Sequence, residues 1–165
     1  MIGSMKRRLL LLGTLLAPMG ASIAAHAQPG VSQPQPKLRT EDLVIVGRDG
    51  TRHVFHTEMA LGPNEQMVGM MFRTSMAPDD GMLFDWGAPR ESSMWMRNTL
   101  IPLDMIFITA DGRIHHIHER AVPQSLATID SRGPVRATLE VQGGTAERLN
   151  LRVGDRVIHP LFGTN

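Results

Sequence analysis

Two Asp-Gly dipeptides, Asp49-Gly50 and Asp111-Gly112, each stand between two short runs of apolar and β-branched residues. A pair of this kind accepts the positive φ values of a tight hairpin turn, and the strands it joins must be antiparallel. The first turn links Leu43-Val44-Ile45-Val46 to a return strand from Arg52 to Met59. The second links Leu103 to Thr109 with Arg113 to Ala121. Two local hairpins within so short a chain bias the whole fold toward β structure. Met82-Leu83-Phe84 and Ser93 to Arg97 add short extended segments, Val153 to Ile158 reads as a turn and a last strand, and Gly87 to Glu91 reads as a loop. Arg136 to Val141 alternates Ala137, Leu139 and Val141 with Arg136, Thr138 and Glu140, the pattern of a half-buried strand.

Helical signals are few. Gly62-Pro63 opens a helix with proline at its first position, and the helix is expected to end near Arg73 with Met67, Met70 and Met71 on one face. Thr145 to Leu149 is a second short candidate, with Thr145 near its N-cap. No long helix separates the strands, which argues against a doubly wound parallel sheet. The expected fold is α+β and mostly β: a small antiparallel sheet or partial barrel of about seven short strands with one or two short helices.

Residues 1–27 have the features of a secretory signal peptide. Lys6, Arg7 and Arg8 precede a leucine-rich run from Leu9 to Met19, and Ala25-His26-Ala27 fits the small-x-small cleavage pattern. The run is short for a membrane span and ends without a basic flank, so cleavage is expected rather than retention as an anchor. Residues 28–40 place Pro29, Pro34 and Pro36 among Gln, Ser and Gly, the composition of a flexible linker. A single β-rich domain is expected over residues 41–162, and no internal repeat is visible.

Export changes the charge. The chain has 17 basic and 16 acidic residues; loss of Lys6, Arg7 and Arg8 leaves 14 against 16, a formal charge of −2. The folded part therefore lacks the cationic excess that nucleic acid or anionic lipid would attract, and membrane contact is expected only through the signal peptide. Cysteine is absent, which excludes disulfides, thiolate metal sites, a cysteine nucleophile and a lipidated cysteine. Tyrosine is absent too, so no tyrosine serves as acid or base.

Several segments carry a family signature: Gly69-Met70-Met71-Phe72-Arg73; Asp80-Gly81-Met82-Leu83-Phe84; Trp95-Met96-Arg97-Asn98-Thr99; Ile101 to Ile108; Asp111-Gly112-Arg113-Ile114; Leu139-Glu140-Val141 with Gly143-Gly144; and Gly154-Asp155. In order and spacing the chain resembles the secreted bacterial family called domain of unknown function 192, over most of residues 43–159. Met70 stands where leucine is usual, a change that conserves volume. The resemblance implies a compact domain dominated by antiparallel strands, and export. It implies no catalytic roles.

Three constellations are candidates for chemistry. The first is Arg73, Asp80, Trp95, Asn98, Thr99, Asp104 and Glu140, polar and aromatic residues set among apolar segments. Arg73 could grip a carboxylate or phosphate through its planar fork, and Asn98 and Thr99 could fix hydroxyls or an amide. Trp95 offers a flat face to a ring, and Asp104 or Glu140 could serve as acid or base if buried. A structural reading competes. Asp80 and Asn98 satisfy turn amides in that reading, and Arg73 pairs with Asp104 or Glu140. The second constellation is His115-His116-x-His118, where strand alternation puts His116 and His118 on one face. They could share a metal with a third ligand such as His53, His56 or His159. The third is methionine, nine of which remain after cleavage, all between Met59 and Met105. Met94-x-Met96 suits a soft cation, but methionine in a domain poor in aromatics is foremost core filler.

The functional expectation is an exported envelope accessory or binding protein. It would hold a small polar ligand, a glycan or a protein partner near Arg73, Trp95, Asn98 and Asp104. Two alternatives stand beside it: an envelope hydrolase using Asp104 or Glu140, and a periplasmic metal-binding protein using His116 and His118. No cofactor is expected, since phosphate-binding and dinucleotide fingerprints are absent.

Overall fold

The computed structural model describes residues 30–164. The predicted signal peptide, residues 1–27, lies outside the described residues. The first hairpin forms as its turn dictates. β1 (Thr40–Val46) pairs antiparallel with β2 (Arg52–Ala60), and Gly50 takes φ 82° between them. The helix α1 (Pro63–Val68) follows, then β3 (Asp80–Arg90), β4 (Ser93–Met94) and β5 (Leu103–Ile108). The second Asp-Gly turn leads antiparallel into β6 (Ile114–Ala121). β7 (Ile129–Asp130), β8 (Val135–Gln142), α2 (Thr145–Arg148) and β9 (Arg156–Ile158) complete the order, with a 3-10 turn over Pro160–Phe162.

Seven strands form one curled sheet, a half-barrel, in the order β6-β5-β8-β3-β2-β1-β9; β4 and β7 form a separate two-stranded ribbon. The curl brings the two edges toward each other. Arg113, just before β6, bridges to Arg156 of β9, and Val157 N–H donates to Gly112 C=O at 2.8 Å. The partial barrel read from the sequence is therefore present, with nine strands among the described residues rather than about seven. The strand without a counterpart in the sequence reading, β7, has two residues, as does its partner β4. Ser93 to Arg97 is extended only over Ser93–Met94, and residues 87–90, read as loop, continue β3 past a bulge.

One pairing breaks the antiparallel rule. β2 and β3 run parallel, His56 opposite Asp80 through Ala60 opposite Phe84. A parallel pair needs a crossover of a dozen or more residues, and the stretch holding α1 supplies it. β8 then enters between β3 and β5 and is central. Both of its faces are covered. Leu139 and Val141 join Leu43, Ile45, Leu83 and Ile106 on one side, while Met82, Phe84, Met105 and Phe107 pack on the other. A central strand in such a sheet buries its polar residues as well. Thr138 and Glu140 are therefore buried, where the alternation pattern implied an exposed face.

The helix α1 is shorter than its sequence suggests. It stops at Val68 because Gly69 adopts φ 48°, outside the helical region. Met67 is consequently exposed, while Met70 and Met71 turn inward from the segment after the helix. Glu65 closes the other end, its Oε2 accepting from the Leu61 and Gly62 amides, each at 2.8 Å. The Pro/Gln-rich segment is tied down from Gln35 onward. Gln35 Nε2 donates to the carbonyls of Glu65 at 3.2 Å and Gly69 at 2.9 Å, and Leu38 packs against the methionine-rich side of the core. Among the described residues no helix is long and apolar enough to cross a membrane.

Candidate ligand-binding site

The segment after α1 and the segment after β4 meet over the methionine-rich face of the sheet. Gly69 is required at the meeting point. A Cβ there would lie 3.0 Å from Phe84 Cζ, so only glycine lets the chain turn this close above the ring. Gln66 holds α1 in place, donating from Nε2 to the carbonyls of Ala60 at 3.2 Å and Asp85 at 2.6 Å. The two segments are joined by Phe72 N–H donating to Asn98 C=O at 2.8 Å. Phe72 and Asn98 both carry positive φ values, 61° and 54°, which turn the chain at this junction. Asn98 Nδ2 also reaches Met71 Sδ at 3.8 Å.

Between these segments lies an open pocket that encloses about 40 Å³. Its walls are mainly Met70, Met71, Met94 and Phe84, with Trp95 at the mouth and Glu140 and Thr99 deeper in. Trp95 is 47% exposed, and the Arg97 guanidinium lies 5.5 Å from its ring centroid. β4 and β7 support this rim, where Ser93 Oγ donates to Asp130 Oδ1 at 2.6 Å.

Glu140 is the unusual group. It stands on β8 opposite Met82 of β3 and Met105 of β5, so its side chain shares their apolar face. It is only 4% exposed, and its Oε2 is buried without a hydrogen-bond partner. Burial alone pushes its carboxyl up to about 8, so the acid is largely protonated at neutral pH.

The other sequence candidates divide between two places. Arg73 grips Glu58 rather than Asp104 or Glu140, through parallel bonds of 3.0 and 2.9 Å. Glu58 Oε2 also accepts from Leu38 N–H at 2.7 Å. This pair and Asp80 line a neighbouring polar cleft of about 30 Å³, which shares Met70 with the pocket. Asp104 lies elsewhere. It is opposite Val141 on β8, whereas Glu140 is opposite Met105, so the two carboxyls point to opposite faces of the sheet. Asp104 is fully buried, and it accepts from three backbone amides: Arg120 at 2.7 Å, Gly144 at 2.9 Å and Ala146 at 2.8 Å. Two carboxyls on one reacting bond, as glycoside hydrolysis demands, cannot be assembled from this pair.

The histidines keep the alternation expected of them. His118 is opposite Met105 and His116 opposite Phe107, whose ring it stacks on at 5.8 Å. Among the described residues no group of three or more His, Asp or Glu side chains is placed to hold a metal ion. Met96 and most of the other methionines are core residues, and Met94 is half-buried at the pocket wall.

Sequence reasoning missed Glu58, Arg97 and the pocket's methionine walls. Arg97 was within reach, two residues from Trp95 in a segment read as extended, which sets both side chains on one face. Glu58 carried no local signal, because the parallel pairing that buries it is not written in any short motif.

Fold and pocket together define a class: a curled, mostly β domain with a small, methionine-walled open cavity that carries a lone buried carboxyl on its wall. The chain belongs to the domain of unknown function 192 family (DUF192, Uncharacterized ACR), whose model matches residues 44–159. It is similar to a crystal structure from Sinorhizobium meliloti 1021, provisionally described as a transcription regulator. Identity is 45% over 77% of this chain and 98% of that one, with a TM-score of 0.75. A protein of unknown function from Novosphingobium aromaticivorans DSM 12444 is similar at 39% identity, over 85% of this chain and 99% of that one, with a TM-score of 0.73. No curated protein matches the chain.

Proposed function

We propose that the protein is an exported envelope binding protein that seats a small polar ligand in the pocket between Trp95 and Glu140. The observation that carries this reading is the buried, unpartnered Glu140 carboxyl on the wall of a solvent-open cavity. A buried polar atom without a partner costs on the order of 1–3 kcal/mol, and such costs concentrate where a ligand completes the bonding. The enclosed space, about 40 Å³, admits a small polar head group and leaves the rest of the molecule at the open mouth. Trp95 offers that molecule a flat exposed face. Binding is favoured over hydrolysis because the lining residues include no second carboxyl. Export rests on the basic start, apolar run and Ala25-His26-Ala27 site of the sequence. N-terminal sequencing of protein from a bacterial envelope fraction checks that part, with Gln28 as the expected first residue.

Amide NMR with a small panel of neutral and cationic probes (glucose, N-methylacetamide and butylammonium) tests the pocket. At least one probe is expected to shift the signals of Gly69, Thr99 and the Trp95 indole together. Trp95→Ala should weaken that probe about five-fold or more, the loss of one aromatic contact. Shifts scattered over other surfaces, or none with any probe, would remove the pocket as a binding site.

A further inference from the structure

The geometry points to a cationic ligand group: we propose that the pocket binds a small alkylammonium ion, held by ionised Glu140 and Thr99 between the methionine walls. This rests on the binding reading above and adds the charge and chemistry of what is bound.

Apart from Arg97 and the Trp95 indole N–H at the rim, the free side-chain groups of the walls are acceptors. Glu140 Oε2 is unpartnered. Thr99 spends its hydroxyl hydrogen on Arg97 C=O at 3.4 Å, which leaves its oxygen lone pairs open. The thioethers of Met70, Met71 and Met94 accept but cannot donate, and the Trp95 ring presents a negative face. The Gln66 amide donors are already used on Ala60 and Asp85. A primary ammonium is the complement of such a surface, with three donors and no acceptor. Its alkyl chain matches the apolar walls.

Charge favours the same choice. Of the side chains lining the pocket, Arg97 and Glu140 alone carry charge or titrate, and Arg97 is exposed and stacked on Trp95. The strands packed beside Glu140 face it with Met82 and Met105, which do not titrate. Arg73 and Arg136, the other partly buried cations, are committed to Glu58 and Asp85. Among the described residues Glu140 thus lacks a bonded cation, and a ligand cation would supply one.

Binding then displaces a proton. Glu140 holds its proton below about 8, while an alkylammonium stays charged to about 10. Affinity for the cation should therefore rise close to ten-fold per pH unit from pH 6 toward 8 and flatten above it. A neutral acceptor ligand would show the reverse, binding the protonated acid and weakening above pH 8.

The experiment is an NMR titration with butylammonium chloride at pH 6, 7 and 8 and constant ionic strength, reading methionine methyl signals, Thr99 and the Trp95 indole. The expected result is saturable shifts at Met70, Met71 and Met94, with affinity rising through the series. Glu140→Gln, checked for folding by its amide spectrum, should lower affinity at pH 8 by ten-fold or more. Affinity that ignores pH, or survives Glu140→Gln, overturns the proposal. N-methylacetamide binding at these signals where butylammonium does not overturns the cation and leaves the pocket standing. Failure of both, and of glucose, removes the cation and the pocket together.

Discussion

Glu140→Gln should stabilise the protein at pH 8 by about 2 kcal/mol, raising Tm by roughly 5–10 °C. The sign follows from linkage. In the fold the carboxyl is raised to about 8 from an ordinary value of 4.5, so between those limits the native state holds a proton that the unfolded chain has released. Stability from this group is full below pH 4.5, declines as pH rises, and levels off above about 8. At ~1.4 kcal/mol per pH unit the window sets a ceiling on the order of 5 kcal/mol. Glutamine recovers less than that, because its own amide remains poorly bonded in the same place. Thermal melts of both proteins from pH 5 to 9 check the prediction. The wild type should lose stability across the range relative to Glu140→Gln, and the gap should close near pH 5. Parallel pH profiles would mean that Glu140 titrates like an exposed carboxyl.

Asp104→Ala should have the opposite effect and a larger one, a loss of about 3–5 kcal/mol. Its carboxylate collects the amides of Arg120, Gly144 and Ala146, and so joins β5 to the end of β6 and to the start of α2. Removing it leaves those N–H groups in a closed site with nothing to accept from them. Tm should fall by roughly 10 °C or more. Asp104→Asn keeps one acceptor oxygen and turns an N–H₂ toward the donors, so it should fall between the two. Urea titration of the three proteins gives the order directly. At a temperature where Asp104→Asn is folded, butylammonium affinity should match the wild type, because Asp104 faces away from the pocket. A wild-type midpoint for Asp104→Ala would refute the structural role.

The contrast between these two carboxyls explains what the sequence could convey. Both looked alike: single acids in strand segments, plausible as catalytic groups. Their difference comes from register. One residue of offset places Asp104 opposite Val141 and Glu140 opposite Met105, and sends them to opposite faces. The two hairpins were readable because Asp49-Gly50 and Asp111-Gly112 dictate local chain reversal. Pro63 marked the start of α1 for a similar local reason. The position of β8 was not readable, since its insertion between β3 and β5 depends on long-range pairing. With it went the burial of Glu140, which its strand pattern placed on the exposed side. Met67, Met70 and Met71 fit helical spacing and so overstate the length of α1, because Gly69 takes a backbone conformation that spacing does not report. Trp95, Thr99 and Glu140 line one pocket, and Arg73 and Asp80 the cleft beside it.

Cation binding and the pH dependence of stability both turn on the ionisation of one side chain. A ¹³C NMR titration of the Glu140 side-chain carboxyl, assigned by comparison with Glu140→Gln, measures it directly in the free protein. The expected midpoint is near 8, moving downward when butylammonium is present. A midpoint near 4.5, unchanged by the cation, would contradict the account.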